Sequence, residues 1–267
     1  MLTEVKNNLL YFINALKVSI KSAMAYKVSF VIQAVFMVFN NLFFLLVWKV
    51  ILNNSPSQTD ISFNGILYLW SISTMSFGIA YFFFGGIKSI NEYILNGTMD
   101  SFMLQPKNLY LNVISSKCKF SACGDFIYGL VLSFVATGCD IPKVFLMILF
   151  SIIGSTFFIS AEVIFRSLTV WLGDTHALAS KYTETLLITF STYPENIFST
   201  GIKVLLYTIV PVAYLDYLPI RMLTGTFSIP VFLAILLVSS IFMLLSIYVF
   251  NKAMKNYESG NNMSMKD

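Results

Sequence analysis

Charge is what this chain has least of. Only 11% of its 267 residues are Asp, Glu, Lys or Arg, against roughly a quarter in a soluble domain. A water-soluble fold could not cover itself with so little polar surface. Histidine is nearly absent, His176 being the single copy, and the three cysteines, Cys118, Cys123 and Cys139, make an odd set. That supply argues against a His/Cys metal cage and against a structural disulfide. No G-x-x-x-x-G-K-S/T run occurs, so the chain has no phosphate-cradling loop of the usual kind for hydrolysing ATP. HExxH, GxSxG and closely spaced Ser-His-Asp sets are missing too, which leaves a membrane enzyme without a nucleophile or metal. The net charge of +4 comes from Lys and Arg scattered at the ends of apolar runs. No contiguous basic face results, and no nucleic-acid partner is expected.

What the chain does have is apolar length. It is 57% hydrophobic with a mean hydropathy of +0.77, and its 26 Phe and 14 Tyr supply lipid contact and interfacial anchors. The expected fold is an all-α integral membrane protein in a lipid bilayer, with about six transmembrane helices. Residues 1–27 place Val5, Leu9, Phe12, Leu16 and Ile20 on one stripe and Asn7, Asn14, Lys17 and Lys21 on the other, the pattern of an amphipathic interfacial helix. Ala23-Met24-Ala25 resembles a signal-peptidase site, but Lys17 and Lys21 interrupt the apolar run that a signal peptide needs before it.

Residues 28–252 read as one transmembrane domain. The first span, 29–52, carries Asn40 and Asn41 in its middle. Amides in lipid are costly unless paired, so both are expected to face another helix or a substrate path. Residues 53–64 hold Pro56 and no Lys or Arg, and fit the outside. Spans follow at 65–86, 122–139 and 144–165, with Asp125 about one turn into the third. Glu162 lies near the inner end of the fourth, four residues before Arg166, a spacing at which the two can pair on a helix. Both carboxylates are expected to be hydrated or paired at the cytoplasmic face.

Two apolar pieces, 182–199 and 203–220, are broken by Tyr193-Pro194, Gly201, Pro211, Asp216 and Pro219. If both crossed, the lysine-bearing tail would lie opposite the lysine-bearing N-terminus, against the positive-inside rule. The expectation is therefore one re-entrant outer hairpin, within 193–226, before a final span at 229–250. The cytoplasmic tail is 253–267, and both termini lie in the cytoplasm of a cell-membrane protein.

The longest polar interruption, within 87–121, carries Lys88, Lys107, Lys117 and Lys119 and is assigned to the cytoplasm. Ile87, Ile90 and Ile94 share a helical face, with Lys88, Asn91, Glu92 and Asn96 around the others. Gly97 stops this helix in the left-handed conformation, Thr98 is an N-cap candidate, and Pro106 closes a second short helix. The result is a helix, an elbow and a short helix presenting Glu92 and Asp100 on a platform between two spans.

Ile94, Gly97, Thr98, Met99, Asp100, Leu104, Pro106 and Asn108, followed by Gly124-Asp125, resemble the signature of one branch of type-2 ATP-binding-cassette exporter permeases. Met99 stands where leucine is commoner, a change of similar volume. The Gly124-Asp125 match favours loop geometry for Asp125 over substrate contact. The resemblance implies a permease subunit that dimerises with a second copy or a related permease, exports a substrate, and receives a separate ATPase on this loop. ATP is then bound by the partner and the permease has no cofactor. The coupling residues would be Glu92, Gly97, Asp100 and Pro106; Asn40, Asn41, Asp125 and Glu162 would serve the pathway or helix pairing. The alternative is an ion-gradient-driven carrier or an uncoupled channel.

Overall fold

The computed structural model describes residues 27–54 and 62–258, with isolated positions between 12 and 21. The amphipathic helix expected over 1–27, most of the external loop at 53–64 and the end of the tail lie outside the described residues. Among the described residues the regular structure is entirely helical. That is what a chain so apolar requires, because a helix satisfies its own backbone groups without water.

Among the described residues four helices are long and apolar enough to cross a membrane: α1 (Lys27–Asn54), α2 (Phe63–Phe83), α7 (Ile141–Ser167) and α13 (Ile229–Lys255). A shorter one, α6 (Ser121–Thr137), is mostly apolar and at 1.5 Å per residue is about 26 Å long. Between α2 and α6 the chain builds the platform from a 3-10 turn (Gly85–Ser89) and three short helices. These are α3 (Ile90–Leu95), α4 (Met99–Met103) and α5 (Leu109–Ile114).

A single turn, α8 (Thr169–Leu172), prolongs α7, and the chain then leaves the helix at Gly173, φ +77°, and enters α9 (His176–Ser180). This continues without a break through a π-helical segment, Lys181–Leu187, into α10 (Ile188–Thr192). Pro194 ends that rod, since the residue before a proline is pushed out of helical geometry; Tyr193 is extended, with ψ 138°. The apolar piece expected at 182–199 therefore begins six residues earlier, at His176, and stops at Thr192.

Next come α11 (Thr200–Thr208) and a second helical rod, made of a π-helical turn (Ala213–Tyr217) and α12 (Leu218–Thr224). The two are bent by 83° relative to each other. Pro211 sits in the bend, where it cannot donate a backbone hydrogen bond. Tyr182 donates to the Ile209 carbonyl at 2.5 Å and covers one of the acceptors that the bend releases. Val210 and Val212 are buried, so the tip of this hairpin is inside protein.

The bundle is organised around α2, which is largely buried and packs against α6 and then α7. Helix α1 packs mainly on α6 and also touches α2, and α13 packs mainly on α7. Gly78 and Gly129 allow the close α2–α6 approach: a Cβ on Gly78 would come within 2.4 Å of the Phe126 backbone, and one on Gly129 within 2.7 Å of Met75. Small residues at such crossings are how membrane helices gain van der Waals contact where lipid offers no hydrophobic drive. α1 and α13 bury little of themselves; Phe36, Phe39, Phe43 and Val47 on α1 and Leu237, Leu244 and Tyr248 on α13 are exposed.

Candidate functional site

The platform end is built from its apolar face upward. Ile87, Ile90 and Ile94 are fully buried, as their shared face predicts. The run is not one α-helix, however, because its first five residues wind as a 3-10 turn before α3 begins at Ile90. Gly97 then takes φ +69°, the left-handed conformation that costs an L side chain about 1–2 kcal/mol. Thr98 occupies the N-cap position of α4 but makes no side-chain cap; its hydroxyl turns back to the Tyr93 carbonyl at 3.4 Å. The working cap is Asn108, whose Oδ1 accepts from the Leu111 N–H at 3.1 Å and starts α5 immediately after the Pro106 corner.

This elbow leaves Glu92 and Pro106 exposed, and Leu104 86% exposed, while Met99 is fully buried beneath them. Asp100 is half-buried beside Tyr257; burial and that carboxylate push the Tyr257 hydroxyl up to about 12. The platform is tied to α13 by Tyr110, which shares a 3.0 Å hydrogen bond with Ser246 and sets its ring edge-on to Phe250. Burial pushes the Tyr110 hydroxyl up to about 12.

Below α3 lies a polar cluster that crosses four elements. Arg166 and Glu162 pair at 2.5 Å with side chains at most 1% exposed. Glu162 also accepts from the Tyr81 hydroxyl of α2 at 2.7 Å and from the Thr183 hydroxyl of the π-helical segment at 3.0 Å. Arg166 Nη1 donates to Asn91 Oδ1 of α3 at 2.7 Å and lies 3.1 Å from His176 Nδ1, which in that contact acts as the acceptor. Asn91 Nδ2 donates in turn to Asp174 at 3.2 Å. The His176 backbone N–H donates to the same carboxylate, and that bond, with Asn91, holds the Asp174 carboxyl below its ordinary value. Lys88 completes the seam by pairing with Glu184.

Glu162 and Arg166 thus pair as their spacing predicts, but they are sealed in protein and not hydrated. Asn91 also departs from expectation. It lies one residue from Ile90 and three from Ile94, so it shares their inward face and is 3% exposed. Tyr81, Thr183 and His176 were not singled out from the sequence. The available signal was that a carboxylate and a guanidinium inside apolar helices need several more hydrogen-bond partners than each other.

The remaining predicted residues meet elsewhere. Asn41 of α1 is buried and donates to Asp125 Oδ1 at 2.8 Å, while Asn40 is exposed on the surface of the chain. Asp125 is inside α6 and not in a loop, which corrects the geometry read from the Gly124-Asp125 pair. The two carboxylates Asp125 and Glu162 do not join: one bonds α1, the other α2 and the π-helical segment.

Residues 35–261 match a family model described as ABC-2 family transporter protein. The chain belongs to that family. Nothing among the curated proteins or the solved structures matches it. As an ABC-2 membrane component it is a non-catalytic permease-type subunit with several apolar helices, and membership implies an ATP-binding-cassette partner. In this ABC-2 chain the match covers α1 from residue 35 onward, the whole of α2, α6, α7 and α13, the platform and the bent hairpin.

Proposed function

We propose that this chain is the transmembrane subunit of an ATP-driven exporter, coupled through its platform to a separate ATPase. The observation that carries the proposal is the exposed elbow over a buried cluster. Glu92, Leu104 and Pro106 face solvent on one side, and Asn91 on the same short helix is bonded to Arg166 on the other. A push on α3 reaches α7, α2 and the rod 176–192 through hydrogen bonds and not through loose loop, as a rigid-body transition requires. The platform faces the cytoplasm, by the charges of Lys88, Lys107, Lys117 and Lys119 together with Lys252 and Lys255 at the same end of the bundle. Helices α1, α2, α6, α7, the rod 176–192 and α13 are the six spans, and the 83° hairpin is re-entrant from the outer side. Both termini then lie in the cytoplasm of the cell membrane. A second permease copy covers the apolar face of α1, and the substrate path runs between the two.

The test is co-purification in mild detergent from the native host. An associated ATP-binding-cassette ATPase, lost when 92–106 is replaced by a Gly/Ser linker, is the expected result. A permease that purifies at full yield without any ATPase overturns the coupling.

A carrier driven by an ion gradient is favoured by one observation. Asp216, on the π-helical turn of the hairpin, is fully buried and neither of its carboxylate oxygens has a hydrogen-bond partner. Such a carboxylate inside a membrane is a default candidate for ion or proton traffic. That reading requires transport to collapse with the gradient and to be lost in Asp216→Asn, with ATP depletion at constant gradient having no effect.

A further inference from the structure

Between α1, α2, α6, α7 and α10 lies a cavity of about 180 Å³ whose lining includes Asn40, Trp70, Thr74, Phe77, Asp125 and Phe158. Its acid is incompletely satisfied. Asp125 is 4% exposed; Oδ1 accepts the Asn41 amide at 2.8 Å and Oδ2 has no partner. A buried carboxylate oxygen left without a donor is costly, so a site that keeps one has a donor to receive. The walls favour a cation. Trp70 is stacked on Phe44 with centroids 3.9 Å apart, and Phe77 and Phe158 meet edge-to-face at 5.9 Å, so three aromatic rings surround one acid.

The nearest candidate for an internal counter-ion is Lys119, which acts electrostatically on Asp125 but makes no ion pair with it. Its Nζ sits 6.0 Å from the Phe77 ring and 5.8 Å from the Tyr81 ring. The volume is below the few hundred Å³ of a pocket that swallows a whole drug-sized molecule, yet exceeds the share of several waters. It suits a head group whose tail stays outside the cavity against the apolar surface of α1, where Phe36, Phe39 and Phe43 are exposed in the single chain.

We infer that this cavity binds the ammonium head of a cationic amphiphile, with Asp125 as counter-ion and Trp70, Phe77 and Phe158 as the aromatic walls. The site deepens the export reading and rests on it only for where the bound amine goes. The ammonium could belong to a free amphiphile or to a membrane lipid with an ethanolamine head, and one experiment separates the two sources.

The full chain is reconstituted in nanodiscs of phosphatidylglycerol, which carries no ammonium, and quenching of Trp fluorescence is titrated with bromododecyl-trimethylammonium and with the matching bromododecyl sulfate. Saturable binding of the cation alone is expected, weakened at least tenfold by Asp125→Asn and by Met37→Phe, which adds bulk to the cavity from Met37, another lining residue on α1. A second series includes phosphatidylethanolamine: tenfold weaker apparent binding assigns the site to the lipid head, and unchanged binding assigns it to the free amphiphile. Equal binding of both charges, or cation binding unaltered in monodisperse Asp125→Asn and Met37→Phe proteins, overturns the inference. The assay contains no ATPase, so failure of the coupling proposal leaves its result intact.

Discussion

At the platform end Glu162 accepts three hydrogen bonds and Arg166 has donors committed to Glu162, Asn91 and His176, whereas Asp125 has one oxygen paired and Asp216 has neither. Both sets are buried, and both sit in helices that are otherwise apolar. The difference lies in what each can still bond. A fully satisfied cluster holds its elements in one arrangement, and removing a member strands the others. A half-satisfied carboxylate contributes little to that arrangement and keeps capacity for something not in the chain. The first pattern belongs to mechanical connection beneath the elbow, the second to a path or a binding pocket.

The largest break in the comparison is expected from Arg166→Met. It leaves Glu162 charged and buried without its cation, at a cost of about 3–5 kcal/mol. Detergent-resistant, monodisperse protein should fall sharply in a thermal-melt series. The double variant Glu162→Leu with Arg166→Met should recover only part of this, because the Tyr81 hydroxyl and Asn91 Oδ1 stay buried without partners. Complete recovery would mean that the pair matters and the surrounding cluster does not.

Tyr81→Phe removes one donor to a charged acceptor and should cost about 1.5–3 kcal/mol in the same melt. Gly97→Val comes next, at about 1–2 kcal/mol from its φ of +69°. Because the strain is confined to the elbow, insertion and yield should persist while ATPase capture drops, with Gly97→Ala milder. Normal capture by Gly97→Val would separate the elbow from coupling.

Asp216→Asn sharpens the other side of the comparison. Among the described residues nothing bonds this carboxylate, so the melting temperature should stay level or rise. A loss comparable to that of Arg166→Met would show that Asp216 is satisfied in the assembled protein. The smallest effect is expected at Asp174, whose depressed pKa means that its stabilising contribution is present above its unfolded value. That contribution disappears as pH falls through the carboxylate range, below about 4. The melting curves of wild type and Asp174→Asn should therefore converge at acid pH and separate slightly at neutral pH.

Much of the fold was legible because spans are written in local composition: α7 extends the expected run at 144–165 by a few residues at each end, and α13 starts where expected, at Ile229, and runs on to Lys255. The Gly97 elbow was legible for the same reason, since a glycine after a periodic stretch is a local signal. The buried cluster was not. Its bonds join Tyr81 to Glu162 and Asn91 to Arg166 across 81 and 75 residues, and no periodicity specifies which helices face each other. Asp125 stands about one turn into its helix, as the span at 122–139 implied, whereas the loop geometry favoured by the Gly124-Asp125 resemblance does not hold, and its partner Asn41, 84 residues away, was not legible. The break at 193–199 was visible from Pro194, but the start of the rod at His176 was hidden by its polar first turns.

The claim on which the account depends is that an ATPase docks at the elbow. A photo-crosslinking amino acid placed at Leu104, which is 86% exposed, tests it in native membranes against the same group at Ile141, 64% exposed at the opposite end of the bundle. The account predicts a covalent adduct with an ATP-binding-cassette ATPase from position 104 and none from 141. An adduct from 141, or an ATPase that co-purifies without ever crosslinking from 104, would contradict it.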